Sequence, residues 1–197
     1  MTTLPVGHHA VLVEVEDAAA ARSLAAWARD QEVPADEIVP AARTVLFDGV
    51  PDPTHLAELL AGWSPSAGPE TGELVELPMS YDGPDLRSVA ERWGMTEEEA
   101  VTAHSDVEYV AAFCGFAPGF SYLSGLPERL AVPRLDSPRP RVRAGSVGLA
   151  GAWCGVYPVE SPGGWRLLGT TDAVLWDPSR EDPALLAPGT RVRFVPT

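Results

Sequence analysis

The stretch from Phe113 to Thr171 contains three motifs rich in glycine and proline: GFAPGFSYL (residues 115–123), PRPRVRAGS (138–146) and YPVESPGGW (157–165). Glycine and proline recur here at intervals too short for helices. Glycine also lets a second backbone or a ligand approach closely. The stretch therefore predicts a β domain whose loops hold a binding site.

The composition limits the class of protein. The chain has 197 residues, which predicts two domains, and 45% of them are hydrophobic. No run approaches the roughly 20 apolar residues that a membrane-spanning helix needs. The first residues lack the basic and apolar regions of a secretory signal, so we expect a cytoplasmic protein. We accordingly expect Cys114 and Cys154 to be reduced thiols.

The charged residues exclude several kinds of chemistry. All 14 basic residues are arginine, and the net charge is −14. Without lysine, the chain cannot complete a Walker-type phosphate loop or form a Schiff base by itself. Residues 128–145 differ from the rest of this acidic chain in having a net positive charge, because they hold more arginines than acidic residues. One basic loop in an acidic chain favours a small anionic ligand over nucleic acid, which needs a broad basic face.

The first 80 residues alternate between strand and helix patterns. The patterns predict a strand at 9–15, a helix capped by Glu16-Asp17 and ending near 30, one or two strands at 39–47, a helix at 52–63, the loop SPSAGPETG (64–72) and a strand at 73–79. This β-α-β-β-α-β order is that of a ferredoxin-like sandwich. We therefore expect an α+β ferredoxin-like domain over residues 1–80.

Residues 81–197 change to short strands after two short helices. The helices are predicted at 85–93 and 96–104, the second with Thr96 and Glu99 in capping-box positions. Strands are predicted at 107–114, 146–150, 153–157, 165–170, 173–176 and 190–195. Many short strands between turns are typical of a closed or nearly closed barrel.

Several motifs between Tyr81 and Pro196 occur in a fixed order: YDGPDL, GFAPGFSYL, PRPRVRAGS, GVYPVESPGGW and PALLAPGTRVRFVP. In this order they resemble the family that includes the B subunit of 5-oxoprolinase, the Kip-type inhibitor of a sporulation histidine kinase, and allophanate hydrolase subunit 1. The resemblance implies an N-terminal α+β domain followed by a mainly-β cyclophilin-like barrel over residues 81–197.

The resemblance implies several functions, among which the fold alone does not choose. The first is the B-type subunit of an ATP-dependent 5-oxoprolinase, which converts 5-oxoproline to glutamate and is inactive alone. Its partners would be a sister cyclophilin-like subunit of the C type and an A-type subunit, with ATP and Mg shared with the partner. The alternatives are an inhibitor of a sensor histidine kinase and a carboxyltransferase component of a urea or allophanate pathway.

The arginines of the basic loop are the candidates for anion binding. Arginine can hold a carboxylate or phosphate by two parallel hydrogen bonds, which favours Arg134, Arg139 and Arg141. A solvated loop with surface ion pairs explains the same residues equally well. Two positions depart from the family pattern: Arg143 stands where the family usually has proline, and an arginine usual in the family is missing near Thr170.

Further candidates lie in the three motifs. Gly119 belongs to a turn whose amides could bind an anion, although a tight bend needs the same glycine. Ser146 offers a hydroxyl to a ligand, although most serines in such motifs cap turns. Tyr157 and Trp165 could form the walls of a small pocket, and aromatic residues on strands are also common in cores.

Two residues are candidates for catalysis. His104 could act as a general acid or base near neutral pH, or as a protonated side chain at a helix C-terminus. Glu160, beside SPGG, could transfer a proton or bind a magnesium ion. It could equally be a solvated carboxylate with neither role. The histidines and cysteines do not have zinc-like spacing, so we predict no structural metal.

Overall fold

The computed structural model describes residues 1–64 and 72–197, and the chain divides into two compact units, residues 1–69 and 70–197. The described elements of the first unit are β1 (Thr2–Val6), β2 (Ala10–Glu14), α1 (Ala18–Asp30), β3 (Glu37–Pro40), β4 (Thr44–Asp48) and α2 (Pro53–Leu60). The four strands form an antiparallel sheet in the order β1-β2-β4-β3. Most of the predicted loop SPSAGPETG lies outside the described residues.

Local sequence explains both helices of this unit. The Asp17 side chain accepts a hydrogen bond from the Ala20 amide at 2.8 Å, which caps α1. Asp52 caps α2 in the same way, and a proline occupies the first turn, where its missing N–H costs nothing. The alanine-rich face of α1 lies in one apolar cluster with Val13, Val45 and Phe47. The predicted start of each helix is therefore confirmed.

The strand predicted at 73–79 is β5 (Leu74–Met79), and it does not belong to the first sheet. It pairs in parallel with β13 (Arg191–Pro196) in the second unit. The edge beside β2 is taken by β1, a fully exposed strand that we did not predict. The predicted β-α-β-β-α-β order was wrong for its last strand, because Leu77 and Met79 are buried in the second core instead. The predicted domain boundary after residue 80 would place β5 in the first unit, whereas β5 belongs to the second unit.

The remaining elements of the second unit are α3 (Leu86–Trp93), α4 (Glu97–Ser105), β6 (Tyr109–Cys114), β7 (Ser121–Ser124), a 3₁₀ turn (Glu128–Leu130), β8 (Arg139–Val142), β9 (Ser146–Ala150), β10 (Trp153–Val156), β11 (Ser161–Gly163) and β12 (Arg166–Thr170). One sheet of seven strands has the order β12-β9-β10-β7-β6-β13-β5, and β8 pairs with β11 separately. The stretch predicted as a strand at 173–176 forms only one isolated bridge, from Trp176 to Ala184.

The two outer strands of the large sheet meet and nearly close it into a barrel. Ser80, just after β5, exchanges backbone hydrogen bonds of 2.9 and 2.8 Å with Thr170 at the end of β12. The Gly83 amide then donates to the Leu168 carbonyl at 3.0 Å. A side chain at Gly83 would overlap the β12 backbone, so glycine is required there. The barrel-like expectation for this unit is confirmed.

The barrel interior holds the main apolar core. Its largest fully buried members include Tyr109, Leu123, Leu149 and Phe194. Helix α4 begins with the predicted capping box: the Glu99 amide donates to Thr96 Oγ1 at 3.2 Å, and the Thr96 amide donates to the Glu99 carboxylate at 2.8 Å. Among the described residues, no helix is long and apolar enough to span a membrane.

Candidate functional site

A second apolar cluster of the same unit gathers the aromatic residues of the glycine-rich motifs. The ring of Phe120 lies edge-on to Trp165 at 5.4 Å and to Tyr157 at 5.5 Å between centroids. A Cβ at Gly155 would come within 2.9 Å of the Phe120 ring, and one at Gly163 would overlap the Tyr157 hydroxyl. The glycines of GVYP and SPGG therefore make room for these rings.

The GFAPGF motif is a closed turn beside this cluster. Pro118, a positive φ of 83° at Gly119 and a 2.9 Å hydrogen bond from the Phe120 amide to the Ala117 carbonyl are the features of a type II turn. The Gly115 amide donates to the Phe120 carbonyl at 3.1 Å. Both of these amides are thus engaged inside the turn.

Gly119 has a steric reason to be glycine. A Cβ there would lie 2.8 Å from Trp176 Cβ and 3.1 Å from the Leu175 carbonyl oxygen. The positive φ adds a conformational reason. The geometry therefore favours the tight-bend interpretation of Gly119, and its predicted role in anion binding stays a prediction.

Phe116, in the same turn, is a residue that we did not predict as part of the site. Its φ is +71°, a left-handed conformation that a bulky residue rarely adopts, and the residue is 61% exposed. The ring contacts Phe120 edge-on at 5.3 Å and Tyr157 at 6.3 Å. Strained residues of this kind concentrate at functional sites.

Arg134 lies over the aromatic cluster. Its guanidinium carbon is 6.0 Å from the centre of the Trp165 ring, within the range of a cation–π contact. Burial raises the pKa of Tyr157. A hydrogen bond with the Trp165 backbone opposes that rise, as do the positive charges of Arg134 and Arg139. The structure therefore brings four predicted binding residues together: Arg134, Arg139, Tyr157 and Trp165.

Arg139 is held by protein groups. Its Nη2 donates to the Asp85 carboxylate at 2.9 Å, and its Nη1 donates to the Trp165 carbonyl at 3.3 Å. The second carboxylate oxygen of Asp85 accepts from the Leu167 amide at 2.7 Å. These contacts indicate that Arg139 positions the loop and the Trp165 backbone.

Asp85 was missed as a site residue, because its sequence context predicted only the start of a helix. It is 6% exposed and is one of the few buried charged residues among those the structure describes. A buried carboxylate is costly unless it is paired and hydrogen-bonded, as Asp85 is here. Its place in the YDGPDL motif was the available signal.

Arg141 and Glu160, which were predicted separately, lie together. Arg141 Nε is 3.4 Å from a carboxylate oxygen of Glu160, and both side chains are well exposed. Exposed pairs of this kind add little stability. Both groups therefore remain accessible to a ligand from solvent.

Ser146 lies at the start of β9 and is buried. Its backbone carbonyl accepts from the Tyr157 amide at 2.9 Å, and the neighbouring Gly145 amide donates to the Tyr157 carbonyl at 2.7 Å. The AGS segment is thus bound to the strand end that presents Tyr157. This geometry gives Ser146 a structural part in the site, while ligand binding by its hydroxyl stays a prediction.

His104 lies in the barrel core, fully buried. Its Nδ1 is 2.7 Å from the Tyr81 hydroxyl, and its Nε2 is 3.5 Å from Cys154 Sγ. Burial lowers the pKa of His104 to about 3, so the ring is neutral at pH 7. A neutral, enclosed ring favours neither of the roles suggested by the sequence. The catalytic role of His104 stays a prediction without support from its surroundings.

The described part of the chain brings no set of metal ligands together. Within residues 1–64 and 72–197, no three His, Cys, Asp or Glu side chains lie close enough together to hold a metal ion. Cys114 and Cys154 are both free thiols. The donors that the site does offer are arginines and hydroxyls, which suit an anionic ligand.

Comparison with known proteins gives consistent matches. The model of the family described as carboxyltransferase domain, subdomain C and D, matches residues 1–186. A protein of Escherichia coli O157:H7, named as the B subunit of 5-oxoprolinase, is 50% identical over 145 residues, which cover 71% of this chain and 66% of that protein. The matched segments span about half to two-thirds of the curated relatives of this name.

Two solved structures extend the match over nearly the whole chain. TTHA0988 is 35% identical with a TM-score of 0.80, and the match covers 96% of this chain and 40% of that one. The uncharacterized protein PH0987 of Pyrococcus horikoshii is 35% identical with a TM-score of 0.61, and the match covers 100% of this chain and 97% of that one. The two-part fold is therefore shared with solved relatives.

Proposed function

Because the chain belongs to the family of carboxyltransferase domains, subdomain C and D, we propose that it is the B-type subunit of an ATP-dependent 5-oxoprolinase. In this proposal it helps to open the lactam ring of 5-oxoproline to give glutamate. We also propose a ferredoxin-like label for the first unit and a cyclophilin-like label for the second. The antiparallel order β2-β4-β3 supports the first label, and the nearly closed sheet supports the second.

The observation that carries the proposal is the 50% identity over 145 residues to the E. coli protein named as the 5-oxoprolinase B subunit. The fold alone would not select this activity, because related folds host different reactions. Apart from Arg134, the aromatic and arginine site lies within the motifs that first suggested the family, which is consistent with the same assignment.

The reaction needs positive charge near a small anionic substrate. A lactam carbonyl is a poor electrophile. In the proposed reaction ATP would transfer its γ-phosphoryl group to the lactam oxygen and release ADP. Water would then attack the activated carbon, and breaking the C–N bond and releasing phosphate would give glutamate. Transfer of that group depends on positioning and on positive charge around it. On this chain, Arg134 and Arg141 are exposed, whereas Arg139 is bound to Asp85. We therefore propose Arg134 and Arg141 as the anion-binding residues.

The aromatic side chains would orient the ring of the substrate. A carboxylate held by Arg134 would lie next to the face of Trp165. Because burial raises the pKa of Tyr157, its hydroxyl keeps its proton at neutral pH and can act as a donor. Glu160, exposed beside Arg141, is the proposed group for proton transfer. His104 is assigned a structural role in the barrel core.

The proposed assembly contains two further proteins in the cytoplasm, a sister barrel subunit of the C type and an A-type subunit. ATP with magnesium would be shared with the sister subunit. The described residues offer no set of three metal-binding side chains, so a magnesium site on this chain alone is not part of the proposal.

The test is reconstitution of the three proteins from the same source. Glutamate released from 5-oxoproline is measured with and without ATP, and with each of the three proteins omitted in turn. We expect ATP-dependent glutamate that disappears when this chain is left out. An assembled complex that releases no glutamate would refute the assignment, and carboxyl transfer to urea would then be assayed with a biotin-carrying partner.

A further inference from the structure

An exposed apolar patch lies beside the proposed site. It consists of Phe116, Val174 and Trp176, which are 61%, 57% and 41% exposed. Trp176 lies against Gly119, in the same turn as Phe116, because a Cβ at Gly119 would come within 2.8 Å of Trp176 Cβ. Val174 and Trp176 flank the buried Leu175. We call these three side chains the apolar patch.

The backbone under the patch is held by specific hydrogen bonds. The Leu185 amide donates to the Leu175 carbonyl at 3.0 Å, and the Asp177 amide donates to the Pro183 carbonyl at 2.9 Å. The Ser121 hydroxyl, next to the turn, donates to the Leu186 carbonyl at 2.5 Å. The patch is therefore presented by an ordered scaffold.

Two costs coincide at Phe116. Its left-handed φ of +71° is strained for a side chain with a Cβ, and its ring is left largely in water. The edge-on contacts with Phe120 and Tyr157 recover only part of the apolar surface. Aromatic residues that are exposed and clustered in this way are characteristic of the centre of a protein interface.

One solved relative contains further protein beyond the part that this chain matches. The match to TTHA0988 covers 96% of this chain but only 40% of that chain, so about three-fifths of the relative is further protein. The match to PH0987 covers 97% of that chain, so the same two units also occur without the additional segment. A segment that is joined to these two units in one relative is a physical candidate for contact with them.

We propose that the apolar patch is the docking site for the protein segment that corresponds to the remaining part of the TTHA0988 chain. This inference rests on the proposed function, because that function requires a partner protein. It adds the surface of this chain that the partner binds. The patch adjoins the Tyr157–Trp165 wall through Phe116 and Phe120, so a partner bound there would border the proposed site. It would also supply apolar side chains that remove the three exposed groups from water.

The test measures binding without substrate, so it is independent of the reaction. The present 197-residue chain and the homologue of the additional segment from the same source are purified, and their Kd is measured by calorimetry. The variants are Phe116→Ser, Trp176→Ser and the double variant. The control is Val195→Ser, an exposed apolar residue of the same unit outside the patch. Thermal melting of each variant checks that it is folded.

We expect the double variant to weaken binding by at least about 30-fold, the change that corresponds to loss of a strong interface residue, with the control unchanged. A wild-type chain that does not bind the segment, or patch variants that bind as well as wild type, would overturn the inference. Self-association that the patch variants abolish would overturn it too, because a second copy would then cover the patch. Patch-dependent binding without glutamate release would support the inference and refute only the proposed function.

Discussion

Replacing Asp85 by alanine should destabilise the second unit by about 3 kcal/mol. The change removes the 2.9 Å ion pair with Arg139 and the 2.7 Å hydrogen bond from the Leu167 amide. Leaving a buried amide unpaired costs about 1–3 kcal/mol. The Arg139 side chain is 27% exposed, so water replaces part of its lost partner and the additional cost is about 1 kcal/mol.

Two further variants separate these contributions. Asp85→Asn keeps an oxygen that can accept from Leu167 but loses the charge, so we expect a loss of about 1 kcal/mol. Glu160→Ala removes the exposed partner of Arg141, and its effect on the free energy of unfolding should stay within about 0.5 kcal/mol.

The assay is denaturant unfolding followed by circular dichroism, with the transition of the second unit fitted separately. The predicted order of destabilisation is Asp85→Ala, then Asp85→Asn, then Glu160→Ala. Equal changes in the free energy of unfolding for Asp85→Ala and Glu160→Ala would refute the conclusion that Asp85 holds Arg139 in place.

Three other predictions concern the turn, the arginines and the buried histidine. Phe116→Gly should be more stable than Phe116→Ala by about 1 kcal/mol in denaturant unfolding, because only glycine is relaxed at a φ of +71°; a less stable glycine variant would contradict this. Arg141→Ala should lower turnover of the assembled complex at least about 10-fold without changing the melting temperature, and unchanged turnover would reject its role in anion binding. Burial lowers the pKa of His104 from 6.5 to about 3, so unfolding takes up a proton below pH 6.5. Stability should therefore be full above pH 6.5 and fall by up to about 1.4 kcal/mol per pH unit between pH 6.5 and 3. His104→Gln should remove this part of the pH dependence of unfolding, and an unchanged slope would contradict the burial of a neutral ring.

The features that the sequence predicted well depend on neighbouring residues. The Asp17 cap of α1 and the capping box of Thr96 and Glu99 each join groups three residues apart, so the pattern is visible in a short window. The glycine-rich loops were also recognisable in the sequence, and so was the close approach that glycine allows there.

The features that were missed depend on distant residues. Strand β5 has a clear strand pattern, but its pairing with β13 joins opposite ends of the second unit. Strand β1 has no buried face, since all five of its residues are exposed. Asp85 and Arg139 are 54 positions apart, so neither residue indicated that the other would neutralise it. Phe116 could be recognised as a candidate site residue only from its φ angle and its exposure, which the sequence does not show.

The most direct test of the account is glutamate release from 5-oxoproline by the assembled three-protein complex, with Arg134→Ala in this chain and Arg87→Ala as the matched surface control. Arg87 pairs with Glu91 on exposed positions of α3 and has no part in the proposed site. The account predicts ATP-dependent release with the wild-type chain and the control, and at least about a 10-fold loss with Arg134→Ala. Equal rates for both variants would contradict the arginine and aromatic site, and no release from the wild-type complex would contradict the function itself.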